Sequence, residues 1–298
     1  MRLSVAPMVD VSSLWFRHFH RILSPHAEVY SPMIHARAIL HAPDRILPTL
    51  SDINDPLVAV QIAGNNPTEL YDAIVSLCHF AKSLDSEADT SSIHINLNCG
   101  CPSVKANDSE AGAVLMLPEK QFASKTLAPL MERISQLDNA PLVTVKCRTG
   151  ADEHDSYEYF RHFVDECSAT GVDTFIVHTR KCWLKGVSPH QNRTVPALTR
   201  GYLHRLREER PELILHMNGA FKTIQHIRDN SHGMQGVMFG RLAREDPFFF
   251  ARVCRHYHSS DNSDEAFASD EHGHERVQQG AACALLRLCA ADATSCVA

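Results

Sequence analysis

The sequence predicts an eight-stranded parallel β/α barrel. Three observations lead there. Eight short, β-rich apolar runs alternate with amphipathic helical stretches. The runs are apolar on both faces, as strands covered by helices are. The repeats fill about 250 residues, the usual size of a (β/α)8 barrel. A doubly wound open sheet shares the first two observations and is the rival architecture.

Taken in order, the strand candidates are 3–9, 28–34, 56–64, 93–100, 141–150, 174–180, 213–219 and 236–241. Each is a run rich in Val, Ile, Leu and Phe, bounded by Gly, Pro, Asn or Asp. Between them lie helical patterns at 14–23, 67–84, 120–137, 157–170, 203–210, 221–230 and 247–258. Their apolar residues recur at three- and four-residue spacing, which gives a helix one face to bury against a sheet. Residues 1–258 are therefore expected to form one barrel domain. Residues 259–298 read as an acidic linker and a weakly helical tail, with one short helix expected at 278–288.

Composition removes several classes. Charged residues are 21% and hydrophobic residues 44%, as in ordinary globular proteins. No run approaches the roughly 18 apolar residues of a membrane helix. The first strand candidate starts almost at once, so no signal peptide is expected and a cytoplasmic location follows. Ten cysteines at irregular spacings read as reduced thiols rather than a disulfide framework. The net charge of −6 is uneven: residues 259–298 hold 7 acidic and 2 basic side chains, leaving 28 acidic and 27 basic in the rest. The barrel is nearly neutral, so a polyanion would need a local basic patch. The oligomeric state leaves no sequence signal, and a monomer is the expectation.

In such barrels chemistry gathers where strands end and βα-loops begin. Polar residues stand at those places: Asp10, Gln61, Asn96, Asn98, Cys101, Lys146, Arg148, His178, Arg180, Asn218 and Arg241. Any one of them alone reads more simply as a cap or a solvated loop residue. As a set they interrupt nearly every apolar strand at the same end.

Three groups carry chemistry. In Asn98-Cys99-Gly100-Cys101-Pro102, Gly100 permits a tight turn and Pro102 holds Cys101 extended, which presents a thiol at the barrel mouth. As a bare Cys-x-Cys the segment also fits buried thiols or a metal site. Metal loses ground because no second cysteine pair or Cys/His cluster stands at ligand spacing, so no metal is expected. Strand alternation puts Asn96 and Asn98 on one face and Cys99 on the other. The second group, Asn218-Gly219-Ala220 before a helix expected near Phe221, with Gly240-Arg241, has the loop positions of a barrel phosphate site. Two ordinary glycine turns would read the same way. The third group is Lys146 and His178. A lysine on a strand facing the mouth is costly without a counter-charge and should meet an anion. His178 fits equally well as a structural histidine.

Together these segments resemble the tRNA-dihydrouridine synthases, whose cysteine motif Asn-x-Gly-Cys-Pro stands here at residues 98–102. The resemblance continues through Val5-Ala6-Pro7-Met8, Val60-Gln61-Ile62-Ala63-Gly64, Ala111-Gly112-Ala113-Val114-Leu115-Met116, and the Lys146 and His178 segments. It is strongest for the A-type branch, which modifies position 20 and its neighbour in the tRNA D-loop, through 180–189 and Gln191-Asn192-Arg193. It spans roughly residues 3–258.

The resemblance implies FMN held by Pro7, Met8, Val9, Gln61, Lys146, His178, Asn218, Gly219, Ala220, Gly240 and Arg241. It implies NADPH as reductant and tRNA as substrate, contacted by Asn98, Arg180, Lys181 and Arg193. Cys101 is implied as the general acid that protonates C5 of uracil after hydride reaches C6, so its thiol must keep its proton until then. Three departures stand out. Ser31-Pro32-Met33 replaces Thr-Glu-Met, and Pro32 removes a ladder donor. Gly219-Ala220 replaces Gly-Gly. A net-acidic stretch of 40 residues, 259–298, stands where the family carries a helical RNA-binding domain. Two other functions remain open: an FMN barrel oxidoreductase of a free pyrimidine or other small enone, and a non-catalytic RNA-binding barrel.

Overall fold

The computed structural model describes residues 1–103 and 110–258. The linker and tail expected at 259–298, with the short helix at 278–288, lie outside the described residues. The strands are β1 (Arg2–Val5), β2 (Glu28–Tyr30), β3 (Ile34–His35), β4 (Val58–Ala63), β5 (His94–Cys99), β6 (Leu142–Arg148), β7 (Thr174–His178), β8 (Ile214–Asn218) and β9 (Gly236–Phe239). All pairings are parallel in the order β2-β1-β9-β8-β7-β6-β5-β4-β3. A further pairing of β2 with β4 closes the ring. The chain is therefore a (β/α)8 barrel, not an open sheet.

Nine labels describe eight barrel strands because β2 and β3 are halves of one. Tyr30 pairs with Ala59 and Ile34 with Ile62, so one residue more is spent on this strand than on its partner, which is a bulge. Pro32 has no N–H to offer there. At the bulge the Ser31 hydroxyl, in place of a ladder carbonyl, accepts the Gln61 amide at 2.9 Å. The proline that departs from the family pattern thus reshapes the strand end beside Gln61.

The helices are α1 (Leu14–Leu23), α2 (Ala36–His41), α3 (Pro43–Ile46), α4 (Pro67–Leu84), α5 (Ala128–Ile134), α6 (Tyr157–Ser168), α7 (Arg200–Glu209), α8 (Ile224–Asn230), α9 (Arg241–Glu245) and α10 (Pro247–His258). The chain starts them with side-chain caps: Ser13 on α1, Asn66 on α4, Ser156 on α6 and Thr223 on α8, each accepting orphan amides of the first turn. The single helix expected at 120–137 is instead a π-turn, Ala123–Leu127, followed by α5. Pro129 explains it, since its missing N–H breaks the regular ladder there. The helix expected from Phe221 begins only at Ile224, because Thr223 caps it.

Outward strand residues such as Val60, Leu97, Val145 and Leu215 pack against the helices in one large core. Inward residues form a separate, smaller set inside the ring: Ala6, Tyr30, Ala59, Ile176 and Met238. Polar side chains lie above and below that apolar layer. At the floor, Gly236 leaves room for the His216 ring, which a Cβ there would meet at 2.7 Å.

Candidate active site at the barrel mouth

Five strand ends converge at the mouth through their register. Asn98 pairs with Lys146, Arg148 with His178, and His178 with Asn218. Gln61 pairs with Asn96. The side chains then bond across the ring. Gln61 Nε2 donates to Asn96 Oδ1 at 2.7 Å, and Asn98 Nδ2 donates to Gln61 Oε1 at 2.7 Å. Lys146 Nζ donates to Asn218 Oδ1 at 3.4 Å, and Asn218 Nδ2 donates to the Met238 carbonyl at 2.8 Å.

Cys101 is half-buried on the turn above β5, and its amide donates to Asn98 Oδ1 at 2.9 Å. The Gly100 amide donates to the same oxygen at 3.0 Å. Asn98 therefore shapes the turn that carries the thiol, and one amide hydrogen is left for a ligand. The Cys101 sulfur lies 3.4 Å from Ser103 Oγ. Cys99 is fully buried on the opposite face, as strand alternation predicts. Burial, and beyond it Cys167 and Cys147, push its thiol far up, which makes it an inert apolar group.

Burial, then the neighbouring Arg148, pull the Lys146 ammonium down to about 8. Burial, then Arg148, Lys146, Arg180 and Arg193, hold His178 well below its ordinary value, so it is neutral at pH 7. Arg180 and Arg193 are lowered by partial burial and then by Arg241. The guanidiniums here bond to carbonyls. Arg148 donates to Gly100, Lys181 and Asn192 oxygens at 2.8, 3.0 and 3.1 Å. Arg180 donates to the Pro196 carbonyl, Arg200 to that of Gly219 at 2.6 Å, and Arg241 to that of Arg193 at 3.5 Å. Among the described residues none of Lys146, Arg148, Arg180, Arg193, Arg200 and Arg241 makes an ion pair with a carboxylate. A carbonyl satisfies a donor but leaves its charge uncompensated, so the mouth is electropositive although the chain is acidic.

The loops after β8 and β9 supply free donors. The amides of Ala220, Phe221 and Arg241 have no acceptor among the described residues. Gly219 lies against Thr179, whose Oγ1 a Cβ would meet at 2.5 Å. Ala220 sits in the left-handed region at φ 52°, where glycine is easier. Because α8 starts later than expected, the Ala220 and Phe221 amides belong to a loop, whereas the Arg241 amide opens α9.

The remaining expected residues are less central. Pro7 and Met8 line the end of β1, but Val9 is 54% exposed. Lys181, expected as a substrate contact, bonds Asp155 at 2.6 Å and lies 4.0 Å over the Trp183 ring. The structure thus uses it to pin its own loop. Two residues were missed as site members. Arg148 ties the Cys101 turn to the 181–192 loop, and buried Asn192 holds that loop closed through Trp183. Their partners are 5 to 48 positions away, so only the lone arginine ending β6 hinted at this. Among the described residues no group of His, Cys, Asp and Glu has metal-binding geometry, and no helix is long and apolar enough to cross a membrane.

A sequence model described as dihydrouridine synthase matches residues 4–286. A protein of Xanthomonas axonopodis pv. citri is 37% identical over 248 residues, covering 83% of this chain and 69% of its own length. One of Xylella fastidiosa is 38% identical over 248 residues, covering 83% and 68%. One of Synechocystis sp. is 37% identical over 259 residues, covering 87% and 72%. All three are named tRNA-dihydrouridine(20/20a) synthase. With its barrel, its Gly-Cys-Pro turn and this match over nearly the whole length, the chain belongs to the dihydrouridine synthase family.

Proposed function

We propose that the protein is a cytoplasmic tRNA-dihydrouridine synthase that reduces a D-loop uridine at position 20 or 20a, with FMN bound at the mouth and NADPH as reductant. The observation that carries the reading is a half-buried thiol on a turn above a ring of cations that have no carboxylate partners among the described residues. FMN suits this donor set. Its phosphate would take the unused amides of Ala220, Phe221 and Arg241 and the Arg241 guanidinium. The acceptor edge of its ring would take Lys146 and the spare amide hydrogens of Gln61 and Asn98, with His178 alongside. When bound, the flavin supplies hydride to C6 of the uracil.

The protein's own residues do the rest. Arg180 and Arg193 attract the RNA backbone and position the strand. The target base has to leave its stack to enter the mouth, at about a few kcal/mol. Hydride addition at C6 puts the electron pair on C5 and O4 of the ring. Cys101 then delivers its proton to C5, and the thiolate left behind is stabilised by Lys146 and Arg148. Solvent restores its proton before the next turnover.

The purified protein should show an oxidised-flavin absorbance spectrum that NADPH bleaches, and it should form dihydrouridine in unmodified tRNA. A colourless protein that cannot be reconstituted with FMN defeats the reading. Activity on free uracil but not on tRNA would move it to the small-enone oxidoreductases.

A further inference from the structure

The mouth is connected to the floor by a continuous line of side-chain hydrogen bonds. The Cys101 and Gly100 amides donate to Asn98 Oδ1. Asn98 donates to Gln61, and Gln61 donates to Asn96. Asn96 Nδ2 donates to Thr144 Oγ1 at 2.8 Å, and Thr144 Oγ1 lies 2.7 Å from His94 Nε2. His94 Nδ1 lies 3.1 Å from Glu28 Oε1. The line crosses the ring from the turn above β5 to a carboxylate at the bottom of β2.

Both ends of this line have fixed polarity. Backbone amides can only donate, so Asn98 must turn its oxygen to the turn and its nitrogen to Gln61. An ionised carboxylate can only accept, so His94 turns an N–H to Glu28, and in the neutral ring its other nitrogen is left to accept the Thr144 hydroxyl. Burial opposes ionisation of Glu28, but the His94 hydrogen bond, with the charge of Arg2, brings it below the ordinary carboxylate range. Every donor between the two ends then points the same way, towards the floor. Reversing any one carboxamide sets two donors or two acceptors face to face.

We propose that Glu28, His94, Thr144 and Asn96 are positioning residues, which hold the Gln61 and Asn98 carboxamides in one orientation and so hold the Cys101 turn. Aligned hydrogen bonds polarise and strengthen one another, so a break at the floor weakens the bonds at the mouth. The unclaimed hydrogens of the upper members are one each on Gln61 and Asn98. The line therefore presents donors, and it selects a ligand whose facing edge carries oxo or imine acceptors. That the ligand is a flavin rests on the proposed function, whereas the direction of the line does not.

The test compares Thr144→Val, which removes the hydroxyl without changing shape, with Thr144→Ser, which keeps it. Amide hydrogen exchange is followed by NMR in flavin-free protein. Exchange at Gly100 and Cys101 should quicken about tenfold in the valine variant, as for a loss of ~1.4 kcal/mol, while the serine variant matches wild type. The amides of β7 should be unchanged in both. Unchanged exchange at the turn, or equal quickening in β7, overturns the proposal. If Thr144→Val does not fold, neutron diffraction of the wild type decides it, since deuterium shared from Asn96 towards Gln61 contradicts the assigned direction. Failure of the wild type to bind FMN would remove the flavin reading and leave both of these results standing.

Discussion

At the floor of the barrel Glu28 is met by His94 at 3.1 Å, the Tyr30 hydroxyl at 3.1 Å and Arg2 at 3.4 Å. At the mouth Lys146 has one hydrogen bond among the described residues, to the neutral Asn218 at 3.4 Å, and the charge that bears most on it is another cation, Arg148. Both charges are enclosed by the same strands, about two inward layers apart. Among the described residues, only the floor charge has a counter-ion. A folded chain tolerates the second arrangement where a ligand supplies what is missing, so the comparison separates a structural site from a binding site without reference to any relative.

Deleting charge at the two ends should therefore have opposite effects. Glu28→Leu leaves His94 and Tyr30 without their acceptor and should cost about 3–5 kcal/mol in denaturant melts, as for breaking a buried pair. Glu28 titrates below its unfolded value, so its contribution is complete above the unfolded pKa and disappears as pH falls through the folded one. The variant should accordingly lose less stability than wild type on acidification. Equal acid sensitivity would show that Glu28 is not the buried charge the floor depends on.

Lys146→Met should stabilise the flavin-free protein by about 1–3 kcal/mol at pH 7, because the folded state holds this ammonium near 8 against about 10.4 when unfolded. The penalty is fully present below pH 8 and is relieved as pH rises towards the unfolded value, so the gain should vanish in alkaline melts. The same variant should bind FMN about 10–100-fold more weakly, as for a lost charged hydrogen bond of ~1.5–3 kcal/mol. In wild type, FMN affinity should fall as pH rises above about 8. Affinity that is flat with pH would remove Lys146 from the cofactor site.

Smaller effects sharpen the picture of the mouth. Arg193→Ala should weaken tRNA binding for all sequences alike and lower the salt-dependence slope by about 1. A change confined to one tRNA sequence would point to base contact instead. Ala220→Gly should gain under about 1 kcal/mol, since relief of the left-handed conformation at φ 52° is partly offset by the freer unfolded chain. A loss would mean that the methyl group packs.

Much of this was legible in the residues because it depends on local pattern. All eight strands lie within the runs that apolar periodicity marks, apart from one residue at the start of β1 and one at the end of β3. Asn66 and Pro67 announce the start of α4 and Ser13 that of α1. Pro32 signalled irregularity but not that the Ser31 hydroxyl would accept the Gln61 amide. The floor was invisible because Glu28 and His94 are 66 positions apart, and only ring closure makes them face each other. The Lys181–Asp155 bond was invisible for the same reason, since it spans 26 positions. Pairings made by closure leave no spacing in the chain, whereas motifs carried on one turn, such as 98–102, do.

The most direct measurement is single-turnover formation of dihydrouridine in unmodified tRNA by Cys101→Ala and Cys99→Ala, with flavin content and NADPH oxidation followed in the same samples. The account predicts that Cys101→Ala keeps its flavin and its reduction by NADPH but makes dihydrouridine about 10²–10⁴-fold more slowly, the usual worth of a general acid. Cys99→Ala should lose only about 1 kcal/mol of stability from the core and keep its rate. A normal rate in Cys101→Ala, or a block in Cys99→Ala alone, would contradict the assignment of the mouth thiol as the proton donor.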